Sequence, residues 1–262
     1  MSQPSKVVYY VEPDAAALTQ RAARYIVESM EAAVGARGRA RIAISGGSAP
    51  KPVFELLADP AEPWRLRMPW KQLEIFWVDE RCVPPDDKAS NYHMAREALL
   101  DKVPLEPGQI HRMEGELEPE EGASRYESEL RNSFRLEGAE VPRFDLIQLG
   151  LGTNGHTASL FPHSNALHEF GRLAVANLTD AEQAWRLTLT APVLNRGADV
   201  FFLISSGEKA NVVNEVFAGP RDAERLPAQL IRPASGILTL LLDSAAAALL
   251  PPPNQDGRGE LV

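Results

Sequence analysis

The sequence predicts an α/β protein built on a mostly parallel, twisted sheet with helices on both faces, and three observations carry that expectation. Continuously apolar runs such as ARIAI from Ala40, FDLIQL from Phe144 and VFFLI from Val200 read as strands buried on both sides, the habit of a parallel sheet. Segments with apolar residues at helical spacing alternate with such runs to the end of the chain. Several runs stop at a glycine-containing turn, the arrangement found at the carboxyl edge of sheets that bind ligands. No internal repeat or low-complexity linker divides the 262 residues, so residues 1–262 are expected to form one domain.

The first strand is expected over residues 7–11. Pro13 and Asp14 then open a long helix whose apolar positions, Leu18, Ala22, Tyr25, Ile26 and Met30, recur at helical spacing. The run from Ala40 to Ile44 is a second strand. It enters Ser45-Gly46-Gly47-Ser48, and Pro50 sits in the first turn of a helix carrying Val53, Phe54, Leu56 and Leu57. A glycine pair between a strand and a helix start offers free N–H groups at the positive end of a helix dipole, which suits a phosphate. A tight turn with no ligand fits the same residues. A third strand over residues 73–78 ends in Asp79-Glu80-Arg81-Cys82, before a proline-rich loop that Ser90 closes as a helix cap. Three successive charges there read either as a solvated rim or as a ligand edge, and the neighbouring glycine turns favour the second. Residues 119–135 read as a charged outer helix with Tyr126, Leu130 and Phe134 on one side. The acidic run from Glu114 to Glu121 is its solvated start.

The stretch FDLIQLGLGTNGHTASLFP packs a buried strand, three glycines and a histidine into nineteen residues from Phe144 to Pro162. The chain turns at Gly150, Gly152 and Gly155, and His156 heads HTASLF, which is expected as a short helix closed by Pro162. Gly150 to Gly155 matches the dinucleotide pattern G-x-G-x-x-G. Three features oppose that reading: Pro162 cuts the helix that should follow, the turn lies past mid-chain, and a histidine stands where a helix would merely pack. Further strands are expected over residues 173–178, 184–190 and 200–204. Alternation does not decide whether Arg186 points to solvent or to the ligand edge. Ser205-Ser206-Gly207-Glu208-Lys209 leads into a helix with Val212, Val213, Val216 and Phe217. A lysine in a first helical turn opposes the dipole and makes better sense beside a bound anion. Residues 237–250 read as a buried strand followed by an alanine-rich helix.

Composition bounds the function. Hydrophobic residues at 44% and charged residues at 24% are those of a globular protein. A net charge of −9 argues against nucleic acid as the partner, because phosphate backbones need clustered Lys and Arg. It leaves room for an anionic small molecule in a local basic pocket. One cysteine, Cys82, excludes an internal disulfide framework and multi-cysteine zinc sites and fits a reducing cytoplasm. The first residues lack the apolar core of a secretory leader. The greasiest stretch, interrupted by Asp243 and Ser244, is too short to span a bilayer. Serine chemistry lacks a G-x-S-x-G elbow. Cys82 beside Arg81 reads as an activated thiol or, more ordinarily, as a small buried residue. His93, His111, His163 and His168 lack metal-ligand spacing, so no metal is expected. What remains is a histidine base, His156, acting on water with cations and backbone amides nearby.

Taken together, SGGS at Ser45, WVDERCVPPDDKASNYHMA from Trp77, LGLGTNGHTASLFP from Leu149, RLTLTAPVLN from Arg186 and SGEKA from Ser206 resemble the glucosamine-6-phosphate isomerase/6-phosphogluconolactonase family, in order over nearly the whole chain. The deaminases of that family share the glycine turns and the Gly-His pair, whereas DERCVPP and GHTASLFP favour its lactonase branch. The resemblance implies a Rossmann-type fold of the sugar-phosphate isomerase kind. It also implies hydrolysis of 6-phosphoglucono-1,5-lactone to 6-phosphogluconate in the oxidative pentose phosphate pathway, with no cofactor. It makes His156 the general base, gives oxyanion stabilisation to Arg81 and turn amides, and has Asp79 organise the site. Gly46, Gly47, Ser48, Arg186 and Lys209 would hold the phosphate, with Gly152, Asn154 and Gly155 also contacting substrate. A cytoplasmic monomer or small homo-oligomer is expected, with neither nucleic acid nor membrane as partner. Two departures stand out: Asn154 replaces the family's usual Asp, and GILTLLLD lacks the aromatic often found before the final Asp. The alternatives are a glucosamine-6-phosphate deaminase and a non-catalytic sugar-phosphate binder.

Overall fold

The computed structural model describes residues 6–179, 184–233 and 237–261. Residues 1–5, on which the reading of the N-terminus partly rests, and Gly236 of GILTLLLD lie outside them. The chain runs through β1 (Lys6–Glu12), α1 (Ala15–Arg37), β2 (Ala40–Ile44), α2 (Pro50–Ala58), α3 (Pro63–Arg67), β3 (Leu73–Trp77) and β4 (Asp79–Arg81). It continues through α4 (Asn91–Ala98), β5 (Ile110–His111), α5 (Pro119–Phe134), β6 (Leu146–Leu149), β7 (Ala174–Thr179) and β8 (Ala184–Leu189). It ends with α6 (Ala191–Asn195), β9 (Val200–Ile204), α7 (Ala210–Phe217), β10 (Ile237–Asp243) and β11 (Arg258–Leu261).

Local chemistry sets several of these boundaries. Asp14 caps α1 by accepting the Ala17 N–H at 2.9 Å. Gly38, at φ 71°, ends it and donates to Val34 O. Ser90 caps α4 by accepting from His93 N–H. Glu118 accepts from the N–H groups of Glu120 and Glu121 at the start of α5, so part of the acidic run serves as a cap.

Eight strands form one sheet in the order β11-β1-β10-β9-β6-β2-β3-β5, and three form another in the order β4-β8-β7. The large sheet is parallel except where β11 pairs antiparallel with β1. Register assigns its faces. Phe201 pairs with Gln148 and Thr239 and packs against Tyr25 of α1. Phe202 and Phe76 point the other way, against Phe217 of α7 and Phe134 of α5 respectively. Helices therefore cover both faces, and the predicted α/β architecture is the observed one. A single cluster of buried apolar side chains runs through both sheets.

Three expectations need correction, and two short strands go unforeseen. The segment after His156 is no helix: it folds as tight turns with a Thr157–Leu160 bridge. Its groups are taken elsewhere, since Thr157 Oγ1 donates to Gly150 O and Ser159 N–H donates to Thr188 Oγ1. The alanine-rich stretch after β10 is likewise a run of turns. Asp243 Oδ1 accepts from Ala246 N–H, and Pro251, Pro252 and Pro253 deny the segment the length a helix needs. The third strand stops at Trp77, and Asp79–Arg81 leaves to pair with β8, so these charges form a strand rather than a solvated rim. Finally, β5 and β11, with two and four residues, are too short to show a period in the sequence.

Candidate active site

Sheet order explains why three turns distant in sequence meet. Strands β9, β6 and β2 are neighbours, so Ser45–Ser48, Gly150–His156 and Ser205–Lys209 emerge side by side at one carboxyl edge. After β2 the chain builds outward through β3 and β5. It then returns through β6 to β9 and β10 on the other side, and such a reversal of strand order opens a crevice. A cleft of about 290 Å³ lies there, walled by all three turns together with Asp79, Arg81 and Asn91.

His156 is fixed from several directions. Asn154 Oδ1 accepts from the His156 backbone N–H at 3.2 Å and lies 2.6 Å from Nδ1. Since the N–H can only donate, the atom facing it is the amide oxygen, and Nδ1 must carry the ring proton. The neutral ring then has its basic lone pair on Nε2. Phe161 stacks on the ring with centroids 4.4 Å apart, and a Cβ at Gly152 would overlap the imidazole. Gly155, at φ 81°, lets the turn close; its own Cβ would press into Leu226. The turn spends its amides internally, Gly152 N–H on His156 O and Gly155 N–H on Gly152 O. Those two amides already have acceptors, and Arg81 is a side-chain donor on the same cleft wall.

The charges come from the small sheet. Asp79 and Arg81 share one face of β4, and antiparallel pairing sets Arg186 of β8 opposite Arg81. Two facing cations repel, and the nearby carboxylate of Asp79, which feels both arginines, offsets part of this. Asp79 is 8% exposed. Its Oδ2 accepts from Ser159 Oγ at 2.7 Å, and Asn91 Nδ2 donates to its backbone O at 2.9 Å. Burial pushes its pKa above the ordinary carboxylate value, opposed by the Ser159 hydroxyl and then by Arg81 and Arg186. Glu80, also buried, accepts from the N–H groups of Arg81, Asn91 and Tyr92 and from Ser90 Oγ, tying β4 to the start of α4. Burial raises its pKa as well, against those four donors. Arg81 itself donates to Ala89 O.

The Ser45–Ser48 turn has the character of an anion cradle. Gln148 Oε1 accepts from Ser45 N–H and Gln148 Nε2 donates to Ser45 Oγ, anchoring the turn to β6. Among the described residues no group accepts from the N–H of Gly46, Gly47 or Ser48, and α2 begins without a side-chain cap. Gly46 is required because Asn91 occupies the space a Cβ would need. On the opposite wall Ser206 adopts φ 89°, a conformation that costs a non-glycine residue about 1–3 kcal/mol. Lys209 follows in the same turn and lines the cleft.

The cleft wall thus gathers Gly46, Gly47, Ser48, Asp79, Arg81, Gly152, His156 and Lys209. Asn154, Gly155 and Arg186 lie off it. Asn154 stands behind the imidazole, Gly155 shapes the turn, and Arg186 acts on Asp79 from β8. Asn91, Ser159, Gln148 and Phe161 were not anticipated. Asn91 follows a recognisable helix cap, but nothing in its neighbourhood announces a long-range bond to Asp79. Burial pushes the Cys82 thiol up to about 11, which disfavours the thiolate that a nucleophile needs. Among the described residues no group of three or more His, Cys, Asp or Glu could hold a metal, and no helix is long and apolar enough to cross a membrane. Without a helix after Gly155 the G-x-G-x-x-G turn has no helix N-terminus to receive a pyrophosphate. A larger cavity of about 520 Å³ lies along β7 behind Phe161 and contains none of the predicted residues. Its size does not outweigh the chemistry gathered in the smaller cleft.

Comparison with known proteins finds close relatives of nearly the whole chain. The chain is 42% identical to 6-phosphogluconolactonase of Synechocystis over 90% of its own length and 95% of that protein. It is 38% identical to that of Nostoc, over 92% and 97% respectively. The structure of 6-phosphogluconolactonase from Trypanosoma brucei superposes with a TM-score of 0.80 at 28% identity, covering 96% of this chain and all of that one. The family model for glucosamine-6-phosphate isomerases/6-phosphogluconolactonase matches residues 13–240, and the chain belongs to that family.

Proposed function

We propose that this protein is a 6-phosphogluconolactonase, an enzyme of the oxidative pentose phosphate pathway that hydrolyses 6-phosphoglucono-1,5-lactone to 6-phosphogluconate. One observation carries the reading: an imidazole with Nδ1 held by Asn154 at 2.6 Å shares a cleft with the Ser45–Ser48 turn, whose amides are available, and with Lys209. The phosphate binds the Gly46, Gly47 and Ser48 amides and Lys209, and this remote binding energy fixes the lactone ring against His156. Arg186 contributes through the field around Asp79 and Arg81.

Water attacks the C1 carbonyl, and His156 Nε2 takes its proton. The alkoxide that forms is met by the Arg81 guanidinium. When the tetrahedral species collapses, the bond from C1 to the ring oxygen breaks. The imidazolium returns its proton to that oxygen, leaving a hydroxyl and a carboxylic acid that ionises. Asp79 holds Arg81 near the reacting carbon. The chain works as one α/β domain in the cytoplasm, as a monomer or small homo-oligomer.

The test couples lactone formation from glucose 6-phosphate to 6-phosphogluconate dehydrogenase and reads the second reduction of NADP. The protein accelerates that step, and His156→Ala lowers kcat by roughly 10²-fold or more. A folded His156→Ala variant with normal turnover overturns the mechanism. Ammonia release from glucosamine 6-phosphate without lactone hydrolysis would assign the deaminase reaction instead. Binding of 6-phosphogluconate with no acceleration would make the protein a sugar-phosphate binder.

A further inference from the structure

The cleft wall at Ser205–Lys209 depends on a residue that never reaches the cleft. Asp243, the last residue of β10, is buried in the end of the large sheet. Its Oδ2 accepts from Ser206 N–H at 3.0 Å and its Oδ1 accepts from Ala246 N–H at 2.8 Å. One carboxylate thus ties the turn after β9 to the turn after β10. Ser206 is the residue at φ 89°, which a non-glycine side chain adopts only when its surroundings impose it. From there the chain runs directly to Lys209, whose N–H donates back to Ser206 O at 3.1 Å. A buried negative charge behind an anion site opposes anion binding by field alone. Its presence is accounted for by geometry, since the two backbone N–H groups reach its two different oxygens, and a neutral amide of that size has only one acceptor oxygen.

We propose that Asp243 is a positioning residue for phosphate selectivity: by holding Ser206 in its left-handed conformation it aims the Gly207–Lys209 turn at the phosphate of the substrate. The proposal rests on the lactonase reading and on Lys209 binding the phosphate. It gives the buried Asp at the end of β10 a task distinct from the chemistry at His156. Removing the carboxylate frees the turn to relax, and Lys209 withdraws from the phosphate while the imidazole and Arg81 stay in place.

The experiment compares kcat/KM for 6-phosphogluconolactone and for unphosphorylated gluconolactone in the parent, Asp243→Ala, Asp243→Asn and Lys209→Ala. Asp243→Ala is expected to cut the preference for the phosphorylated lactone by roughly 10- to 100-fold, through KM more than kcat. Asp243→Asn, with one acceptor left, falls between. Adding Ser206→Gly to Asp243→Ala restores part of the preference, because glycine takes the required φ without help. A merely structural role would lower both substrates by the same factor, and that result overturns the proposal. Loss of preference in Lys209→Ala beside an unchanged preference in Asp243→Ala also overturns it while sparing the phosphate reading. An unchanged preference in Lys209→Ala overturns both. If Asp243→Ala folds poorly, Asp243→Asn and the double variant decide the matter on the same ratio.

Discussion

The two sheets contribute to the cleft in opposite ways. The large parallel sheet supplies mainly backbone: its turns after β2 and β6 offer amides, a sharp bend and one imidazole within short motifs, and its turn after β9 adds Lys209. The small antiparallel sheet supplies charge: Asp79, Arg81 and Arg186 come from β4 and β8, about a hundred residues apart, and are brought together by register alone. Backbone turns are specified locally by glycine and are hard to replace. A charge cluster is specified by pairing and tolerates partial loss. Substitutions in the first are therefore expected to be severe, and in the second graded.

The sharpest way to break that contrast is Gly152→Ala. A Cβ there overlaps the His156 ring, which Asn154 and Phe161 hold from other sides, so the ring has to leave its position. Misplacing a base by about 1 Å costs on the order of 10²-fold. Steady-state kinetics should show kcat near that of His156→Ala with KM little changed. A Gly152→Ala enzyme within threefold of the parent, by about 0.6 kcal/mol, would mean that the turn does not aim the imidazole.

Asp79→Asn probes the other region. Its carboxyl has a raised pKa because burial outweighs the help from Ser159 and the two arginines. A folded-state value above the unfolded one means that the stability contribution is fully present below the unfolded value of 3.8 and is lost as pH rises through the folded value. Above the unfolded value burial of the Asp79 carboxyl therefore costs stability, and the isosteric amide removes that cost. Thermal unfolding at pH 7 is expected to show an equal or higher Tm for Asp79→Asn, a gain that fades as the pH falls through the Asp79 titration. Activity moves the other way, with kcat/KM lower by roughly tenfold as Arg81 and Arg186 lose their shared counter-ion. A lower Tm at pH 7 would show that the carboxylate is there for the fold.

This division also explains what the sequence made legible. Ala40–Ile44 and Val200–Ile204 were readable to the residue because buried parallel strands are continuous apolar runs bounded by turns. The Gly150–His156 turn is legible because Gly152, Gly155 and His156 act on one another over a few residues. Asn91 and Ser159 were not: their bonds to Asp79 span 12 and 80 positions, and no local period encodes them. The segment after His156 misled for a related reason. HTASLF suits a short helix, yet long-range bonds to Thr188 and Gly150 take its polar groups. Asn154 departs from the family's usual Asp, and its amide oxygen accepts from the His156 backbone N–H and faces Nδ1, contacts that a carboxylate would also make.

Asn154→Asp tests how much of that departure matters. Orientation is already supplied by the amide, so the variant changes charge and not geometry. A carboxylate beside Nδ1 favours the imidazolium, which forms during attack and is present in the resting enzyme at low pH. The first effect speeds the chemical step; the second withdraws the base at low pH. On the alkaline plateau of the pH profile kcat should rise by a few-fold. The acid limb of kcat/KM should move toward higher pH by ~1 unit, so the parent is the faster enzyme at the acidic end. Crossing pH profiles are the signature to measure. Parallel profiles, with one enzyme faster at every pH, would mean that the side chain at 154 sets the ring's position alone and that charge reaches the reaction only from the β4–β8 side.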